Sequence, residues 1–347
     1  MKQFLFSLLF FLLGYHLAFG QQSGAQTLRL ARSVYEQGRL HEIPDLINKN
    51  VPSFSKTELV DAYRLLTLAY IYLEEPEKAD DSMQKLLSTD HFYVPNANVE
   101  PAEFVGLYKT FRTTPVFSYG FKLGLNVTMP LINNLYYVSN SAPGNGKYAI
   151  KPGFQVGVVF EKEFFSDSKN KLLRRLVFVP EAIYTSRTFD YANPSPFISD
   201  ITGTSVEDQA ITIKQAWLDI NPVFQLRLSN STTFAPYVGL GPGVSYLLSA
   251  SNTQVSTRKA GVGIVSGPDV DFKDSYNKLV PSVIASAGAK YRFGDFYILG
   301  EVRVQYALTN PVDKSKRSIQ ESVFDYQYIL PNYKPLNLVI NLGIIVP

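Results

Sequence analysis

Charged side chains recur on one face of several alternating segments in the C-terminal two thirds of this chain. Carboxylates held close together can share a proton for acid–base catalysis, whereas carboxylates interleaved with cations can form a network of ion pairs. Acids and bases are nearly balanced in this set, which favours ion pairing. The set comprises Lys122, Glu161, Glu163, Glu181, Arg187, Asp219, Arg227, Lys290, Arg292, Glu301 and Arg303.

Histidine, the usual general base at neutral pH, is missing from these segments. The chain has His16 in an apolar leader, and His41 and His91 far apart in a helical region. It has no cysteine, so a lipid-bearing cysteine, a disulfide framework and a thiolate metal site are all excluded. We therefore predict no catalytic residue, no metal and no cofactor, and a chain that is not an enzyme.

The segments that carry the charges have the two-residue period of β-strands. In Phe117–Met129, large apolar residues alternate with Gly, Ser, Asn, Thr and Lys122. The pattern predicts one apolar face and one polar face on each strand. Eight such strands are predicted: Phe117–Met129, Gly153–Phe164, Arg175–Arg187, Thr212–Leu228, Phe234–Ser249, Ser282–Phe293, Tyr297–Thr309 and Leu336–Val346.

The predicted connections alternate in length. They are short after the second, fourth and sixth strands and long after the others, and the loop from Ala250 to Pro281 is the longest. This alternation is typical of bacterial outer-membrane barrels, whose apolar faces contact lipid and whose polar faces line the lumen. We predict an all-β transmembrane barrel of eight antiparallel up-and-down strands over residues 113–347, with the long loops exterior. A soluble β-sandwich, which would bury the apolar faces instead, is the alternative.

An eight-stranded barrel has an interior that side chains just fill, so the charges must pair with one another. Arg303 and Arg227 are the expected partners of Glu181, Asp219 and Glu301. A path for protons or ions through the same groups is the alternative. The predicted lumen charge network is structural and contains Lys122, Glu161, Glu181, Asp219, Arg227, Glu301 and Arg303.

The N-terminus is typical of a secretory signal peptide over residues 1–20. Lys2 precedes the apolar run Phe4–Leu13, and Ala18-Phe19-Gly20 offers a small-residue cleavage site. An uncleaved membrane anchor is the alternative. The net charge of +3 is too small, and too dispersed, to predict a nucleic-acid partner.

Residues 21–112 have a helical period and resemble tetratricopeptide repeats. Tyr63, Leu66 and Tyr70 precede a turn at Glu75-Pro76, and Ala79 follows where two helices would pack closely. A second, degenerate copy precedes it, and the stretch from Pro101 to Phe111 predicts one more helix. A plain helical hairpin is the alternative. Tetratricopeptide units bind peptides or proteins, so we expect residues 24–111 to bind a partner, with Tyr63, Tyr70 and Tyr72 as candidate contacts.

Several strands resemble the PorT-like outer-membrane β-barrel family of Bacteroidota. The resemblance rests on "VPEAIYTSRTF", "WLDINPVFQLRL", "APYVGLGPGVSYLLSA" and "GAKYRFGDFYILGEVRVQYALTN". It implies an outer-membrane location, and some members of that family act in envelope assembly or type IX secretion. The chain departs from the family pattern in two ways. It ends in Val346-Pro347, and it has a helical region about which the resemblance implies nothing.

These observations predict a non-enzymatic anchor or scaffold of an envelope complex, with the helical domain in the periplasm. Its expected partners are outer-membrane lipid and a periplasmic or outer-membrane protein. Transport of a small solute, or binding of an exterior ligand by the long loops, is the alternative function. An enzyme using Ser or Asp of the exterior loops is a third, disfavoured by the missing histidine.

Overall fold

A computed structural model describes residues 24–113, 115–136, 146–165, 168–194, 207–229, 231–258, 263–318 and 328–347. The predicted signal peptide lies outside the described residues. The described chain forms two compact units, one ending at Pro115 and the other beginning at Val116.

The N-terminal unit contains five α-helices in its described residues. Ser55 and Glu58 form a reciprocal capping box that fixes the start of the longest helix. Gly38, with φ of 74°, lets the chain reverse after the first helix. Apolar residues such as Ala62, Leu66 and Ala79 pack between the helices. The helices are α1 (24–36), α2 (Ile43–Asn48), α3 (Lys56–Tyr72), α4 (Pro76–Thr89) and α5 (Ala102–Thr110).

The C-terminal unit is a closed ring of eight antiparallel strands, which confirms the predicted fold class. The ring order is β1, β3, β4, β5, β6, β8, β9, β10, and β10 pairs with β1 to close it. The strands are β1 (Ser118–Asn134), β2 (Lys147–Ile150), β3 (Pro152–Glu161), β4 (Leu176–Asn193), β5 (Glu207–Arg227), β6 (Phe234–Arg258), β7 (Ile264–Asp271), β8 (Leu279–Phe293), β9 (Phe296–Ala307) and β10 (Asn332–Val346).

Three connections lie at one end of the ring, here called the turn end. They join β3 to β4, β5 to β6 and β8 to β9, the last through Gly294 and Asp295 alone. Gly294 has φ of 61°, a conformation that glycine adopts without strain in a two-residue hairpin. The first strand enters and the last strand leaves at this end. The opposite, loop end carries the other four connections.

Several strands extend further towards the loop end than the sequence pattern predicts. The loop predicted over residues 250–281 is partly β-structure, because β6 continues to Arg258 and pairs with the short strand β7. β5 begins at Glu207 and pairs with this extension. Beyond Ser249 polar residues occupy both faces of β6, so no apolar alternation marks the strand.

The two faces of the barrel wall are inverted relative to a water-soluble protein. Leu125 and Leu342 on the outer face are 69% and 66% exposed, whereas Lys122 on the inner face is 1% exposed. A surface of this kind suits a hydrocarbon solvent and excludes a sandwich with a buried apolar face. Among the described residues, no helix is both long enough and apolar enough to cross a bilayer.

Candidate functional site

Four charged side chains meet in the middle of the barrel lumen and are almost completely buried. The Lys122 ammonium lies 2.6 Å from Glu181 and 3.3 Å from Glu301. Arg303 contacts the same two carboxylates at 2.6 and 2.9 Å. Two acids therefore face two bases, which neutralises the cluster inside a medium where an unpaired charge is very costly.

Neutral side chains satisfy the remaining hydrogen-bonding capacity of Glu301. The Tyr237 hydroxyl donates to Glu301 at 2.9 Å, and the Asn341 amide donates to its other oxygen at 2.9 Å. Gln155 in turn donates to the Asn341 carbonyl oxygen at 2.7 Å. The cluster is thus held by side chains from β1, β3, β4, β6, β9 and β10.

Three contacts run straight across the lumen between strands on opposite sides of the ring. Arg303 on β9 donates a hydrogen bond to Glu181 on β4. These two strands are diametrically opposite, because they are four strands apart in either direction around the ring. The Gln215 amide on β5 likewise donates to the Tyr333 hydroxyl on β10, at 3.0 Å.

The third crossing lies near the turn end, where Lys290 on β8 contacts Glu161 on β3 at 2.5 Å. The three contacts lie at three heights along the barrel axis. They join opposite strands of the ring at successive positions along the lumen.

Asp219 belongs to a separate polar group nearer the loop end. Arg187 contacts both of its carboxylate oxygens at 2.8 Å, and Thr185 and Ser245 also donate to it. The Arg187 guanidinium lies 5.3 Å from the Trp217 ring centroid. Arg187 and Lys290 are therefore lumen residues that the predicted network omits, although their strand parity already places them on the polar face.

Arg227 does not pair with Glu181, Asp219 or Glu301, which corrects the partner predicted for it. It contacts Glu163 at 2.5 Å at the turn end, where its side chain is 34% exposed. The physical reason is its position along the barrel axis. Arg227 is the last residue of β5 and lies at the turn end, far from the central carboxylates.

Apolar clusters close the lumen on both sides of the charged layer. At the turn end, Val159, Val177, Val179, Leu299 and Ile345 pack around Tyr237. At the loop end the cluster is larger and rich in aromatic rings. It contains Phe189, Tyr191, Ile211, Ile213, Trp217, Leu247, Ala250, Phe272, Tyr276, Val280, Ala307, Val312, Tyr328, Leu330 and Tyr333.

The lumen geometry suits ion pairs that join opposite strands of the barrel wall better than it suits catalysis. Glu181 and Glu301 are each held by two cations, and the aromatic cluster lies between them and the loop end. In the residues that the structure describes, no three His, Asp or Glu side chains converge as a metal site.

The three tyrosines predicted as partner contacts lie in different environments on α3. Tyr70 is 8% exposed and packs in the core of the helical unit, and Tyr63 is half-buried against the same core. The two are seven residues apart and so lie on one helix face. Tyr72 is 47% exposed. Of the three, Tyr72 has the largest exposed fraction, and the role of all three as partner contacts stays a prediction.

Comparison with known proteins gives a family match over the barrel. The family model described as outer membrane protein beta-barrel domain matches residues 113–312. A search of curated proteins finds no match.

Solved structures similar to this chain include several bacterial outer-membrane proteins. Neisserial surface protein A is 12% identical, with a TM-score of 0.29, over 67% of this chain and 97% of its own. OprG of Pseudomonas aeruginosa is 11% identical, with a TM-score of 0.28, over 66% and 94%. The protease OmpT of Escherichia coli is 10% identical, with a TM-score of 0.28, over 66% and 96%. Values this low carry no argument about activity.

Proposed function

Because the chain belongs to the family of outer membrane protein beta-barrel domains, we propose that it is an outer-membrane anchor whose helical unit binds a protein partner. The barrel holds the chain in the membrane, and the N-terminal unit works in the periplasm. The long loops then face the exterior. In this proposal the chain is neither a channel nor an enzyme.

The observation that carries the proposal is the filled lumen. Opposite walls are joined by Arg303–Glu181 and by Lys290–Glu161, and apolar clusters close both ends. A solute would have to break buried ion pairs, each of which costs several kcal/mol to separate. The filled lumen therefore disfavours passage of a solute through the barrel. It favours a barrel that anchors the chain in the membrane.

The helical unit has features of a binding module. It has its own apolar core, which indicates a folded body distinct from the barrel. Leu30, Tyr72, Val94 and Val99 are 47–70% exposed, and in this proposal they are candidate contacts for the partner. The proposed domain limits are residues 21–112 and 113–347, after a signal peptide over residues 1–20.

The resemblances to tetratricopeptide repeats and to the PorT-like family make the proposal more specific. They favour a partner in envelope assembly or protein secretion. Two helical pairs form a small platform, so we infer that the chain works inside a larger complex.

Site-specific crosslinking in intact cells tests the proposal. A photo-reactive amino acid replaces Tyr72, and the matched control carries it at Lys314, an exposed residue of the loop end. We expect a discrete protein adduct from position 72 and not from position 314. Recovery of an uncrosslinked monomer from both positions, and from several mild detergents, contradicts a scaffold.

Conductance in planar bilayers tests the alternative of solute transport. The purified barrel inserted into a bilayer should conduct no ionic current, because side-chain contacts bridge the lumen at three positions along its axis. Stable open-channel currents contradict the anchor reading and favour transport.

A further inference from the structure

We propose that the turn between β3 and β4 binds the headgroups of anionic phospholipids. The turn follows Glu161 and ends at Arg175, on the turn end of the barrel. Its described residues combine cations with exposed apolar side chains, the composition of a membrane-interface segment. The inference depends on the outer-membrane location and not on the proposed protein partner.

The start of the turn is fixed on the lipid-facing side of the barrel wall. The Phe164 ring lies 5.8 Å from the Phe178 ring of β4, which lies 5.1 Å from the Phe224 ring of β5. Two backbone hydrogen bonds between Lys162 and Phe178, at 2.8 and 2.9 Å, hold this arrangement. Aromatic rows of this kind mark the level of the headgroups in membrane barrels.

The aromatic row continues around the barrel at the same end. Phe117, Tyr119, Phe160, Phe234, Tyr291 and Phe293 are 49–59% exposed on the outer face. The turn therefore begins at the height where the hydrocarbon of a bilayer gives way to its phosphates.

The turn between β3 and β4 carries three exposed cations near its tip. Lys169, Lys171 and Arg174 are exposed and form no ion pair with a described residue. The Lys162 ammonium lies 5.1 Å from the Phe164 ring centroid, at the level of the aromatic row. From Lys162 to Arg175 the sequence holds five basic and two acidic residues, and one of those acids, Glu163, is already paired with Arg227.

Two cations near the loop end are paired with carboxylates. Lys151 contacts Asp190 at 2.8 Å, and Arg258 contacts Glu207 at 3.6 Å.

An apolar side chain among the cations selects a lipid surface over a soluble anion. Leu172 is 62% exposed and stands between Lys171 and the 3₁₀ turn Leu173–Arg175. Asn170 orders this tip, because its side-chain oxygen accepts a hydrogen bond from the Leu172 amide at 2.9 Å. Leu172 can enter the acyl region while Lys169, Lys171 and Arg174 contact phosphates, which is the geometry of an interfacial anchor.

Quenching of a tryptophan by brominated lipid measures the local lipid composition. The probe is Leu172→Trp in the full chain, folded into vesicles of phosphatidylcholine containing phosphatidylglycerol, with bromine on the acyl chains of one lipid or the other. We expect phosphatidylglycerol to be enriched about five-fold at the probe, the ratio that one lysine–headgroup contact supplies. Raising the salt concentration should reduce this enrichment.

The triple variant K169Q/K171Q/R174Q in the probe background should bring the enrichment close to one. The matched control K278Q/K314Q/K316Q removes three exposed cations of the loop end and should leave it unchanged. Equal quenching by the two brominated lipids in the unsubstituted probe overturns the proposal, and this result does not depend on whether the variants fold. Displacement of phosphatidylglycerol by lipid A in mixed vesicles also overturns it, since the occupant is then a different lipid.

Discussion

Arg303 donates two hydrogen bonds to Glu181, at 2.6 and 2.8 Å, across the full width of the lumen. The two residues lie on β9 and β4, which are diametrically opposite in the ring. Both residues are at most 3% exposed. The pair therefore fixes the distance between opposite walls, a constraint that hydrogen bonds between neighbouring strands cannot supply.

Replacing Arg303 by Met should destabilise the barrel by about 3–5 kcal/mol, because Glu181 and Glu301 are left with one cation between them in a buried site. The free energy of unfolding in lipid vesicles, from a denaturant titration, measures the effect. The matched control is Lys214→Met, whose partner Asp269 lies 3.9 Å away with both side chains more than half exposed. The control should cost less than about 1 kcal/mol. Equal losses for the two variants would show that the crossing pair is not a wall support.

A charge on the outer face tests whether lipid is the solvent of that face. Leu125→Arg should cost about 2–4 kcal/mol in vesicles, since Leu125 lies mid-strand opposite Ile340 and Phe154 on the lipid-facing side. Phe117→Arg, just before β1, should cost about 0–1 kcal/mol because it lies near the interface. Unfolding titrations of both variants in the same vesicles give the comparison. A neutral or stabilising Leu125→Arg is incompatible with a membrane-spanning strand.

Strand parity in the sequence is enough to predict the fold and the inner face of the barrel. Alternation in β1 and β10 separates Lys122 and Asn341 from the lipid-facing leucines without any three-dimensional information. Parity does not predict height along the axis, because height depends on the stagger between neighbouring strands. For this reason parity alone pairs Arg227 with the wrong acid and does not predict the pairing of Arg187 with Asp219.

The loop-end extension of β6 shows a second limit of sequence reasoning. Between Ala250 and Arg258 the inward residues Asn252 and Gln254 are as polar as the outward Ser251 and Thr253. Hydrophobic contrast between faces is the signal that reveals a strand, and here it is missing. The pairing with β5 and β7 comes from backbone hydrogen bonds, which the residue types do not report.

The segment after α4 is tied to α3 by one ion pair in the helical unit. Arg64 donates to both oxygens of Glu100 at 2.6 and 2.9 Å, and the Glu100 side chain is 6% exposed. These hydrogen bonds raise the pKa of the Arg64 guanidinium, so it keeps its charge at any physiological pH. Arg64→Met should expose the segment, with a loss of about 1.5–3 kcal/mol for hydrogen bonds to charged groups.

Hydrogen exchange of the full chain measures that loss locally. Amides of residues 90–101 should exchange faster in Arg64→Met, while those of the barrel strands keep their protection. The matched control Arg32→Met breaks an exposed pair with Asp61 and should change little. Unchanged exchange in residues 90–101 would mean that packing alone holds the segment, for example through Tyr93 against Phe104.

At Gly241, on the inner face of β6, the backbone of β5 lies close by. The β5–β6 ladder has no paired residues from Asn221 to Val223, beside Pro222, which cannot donate a backbone hydrogen bond. A Cβ added at Gly241 would lie 2.7 Å from the Pro222 carbonyl oxygen and 2.8 Å from the Val223 Cα, both backbone atoms that cannot move alone. Gly241→Ala should therefore cost about 1–3 kcal/mol through overpacking.

The matched control for this variant is Gly300→Ala on β9, where an added Cβ meets no atom within 4 Å. That change should alter the free energy of unfolding by no more than about 0.5 kcal/mol. Both variants keep the same chemistry, so the difference between their unfolding midpoints isolates the close approach of the two strands. Equal stability of the two variants would mean that the wall at Pro222 can move outward, and that the lumen is less tightly packed than its crossing ion pairs imply.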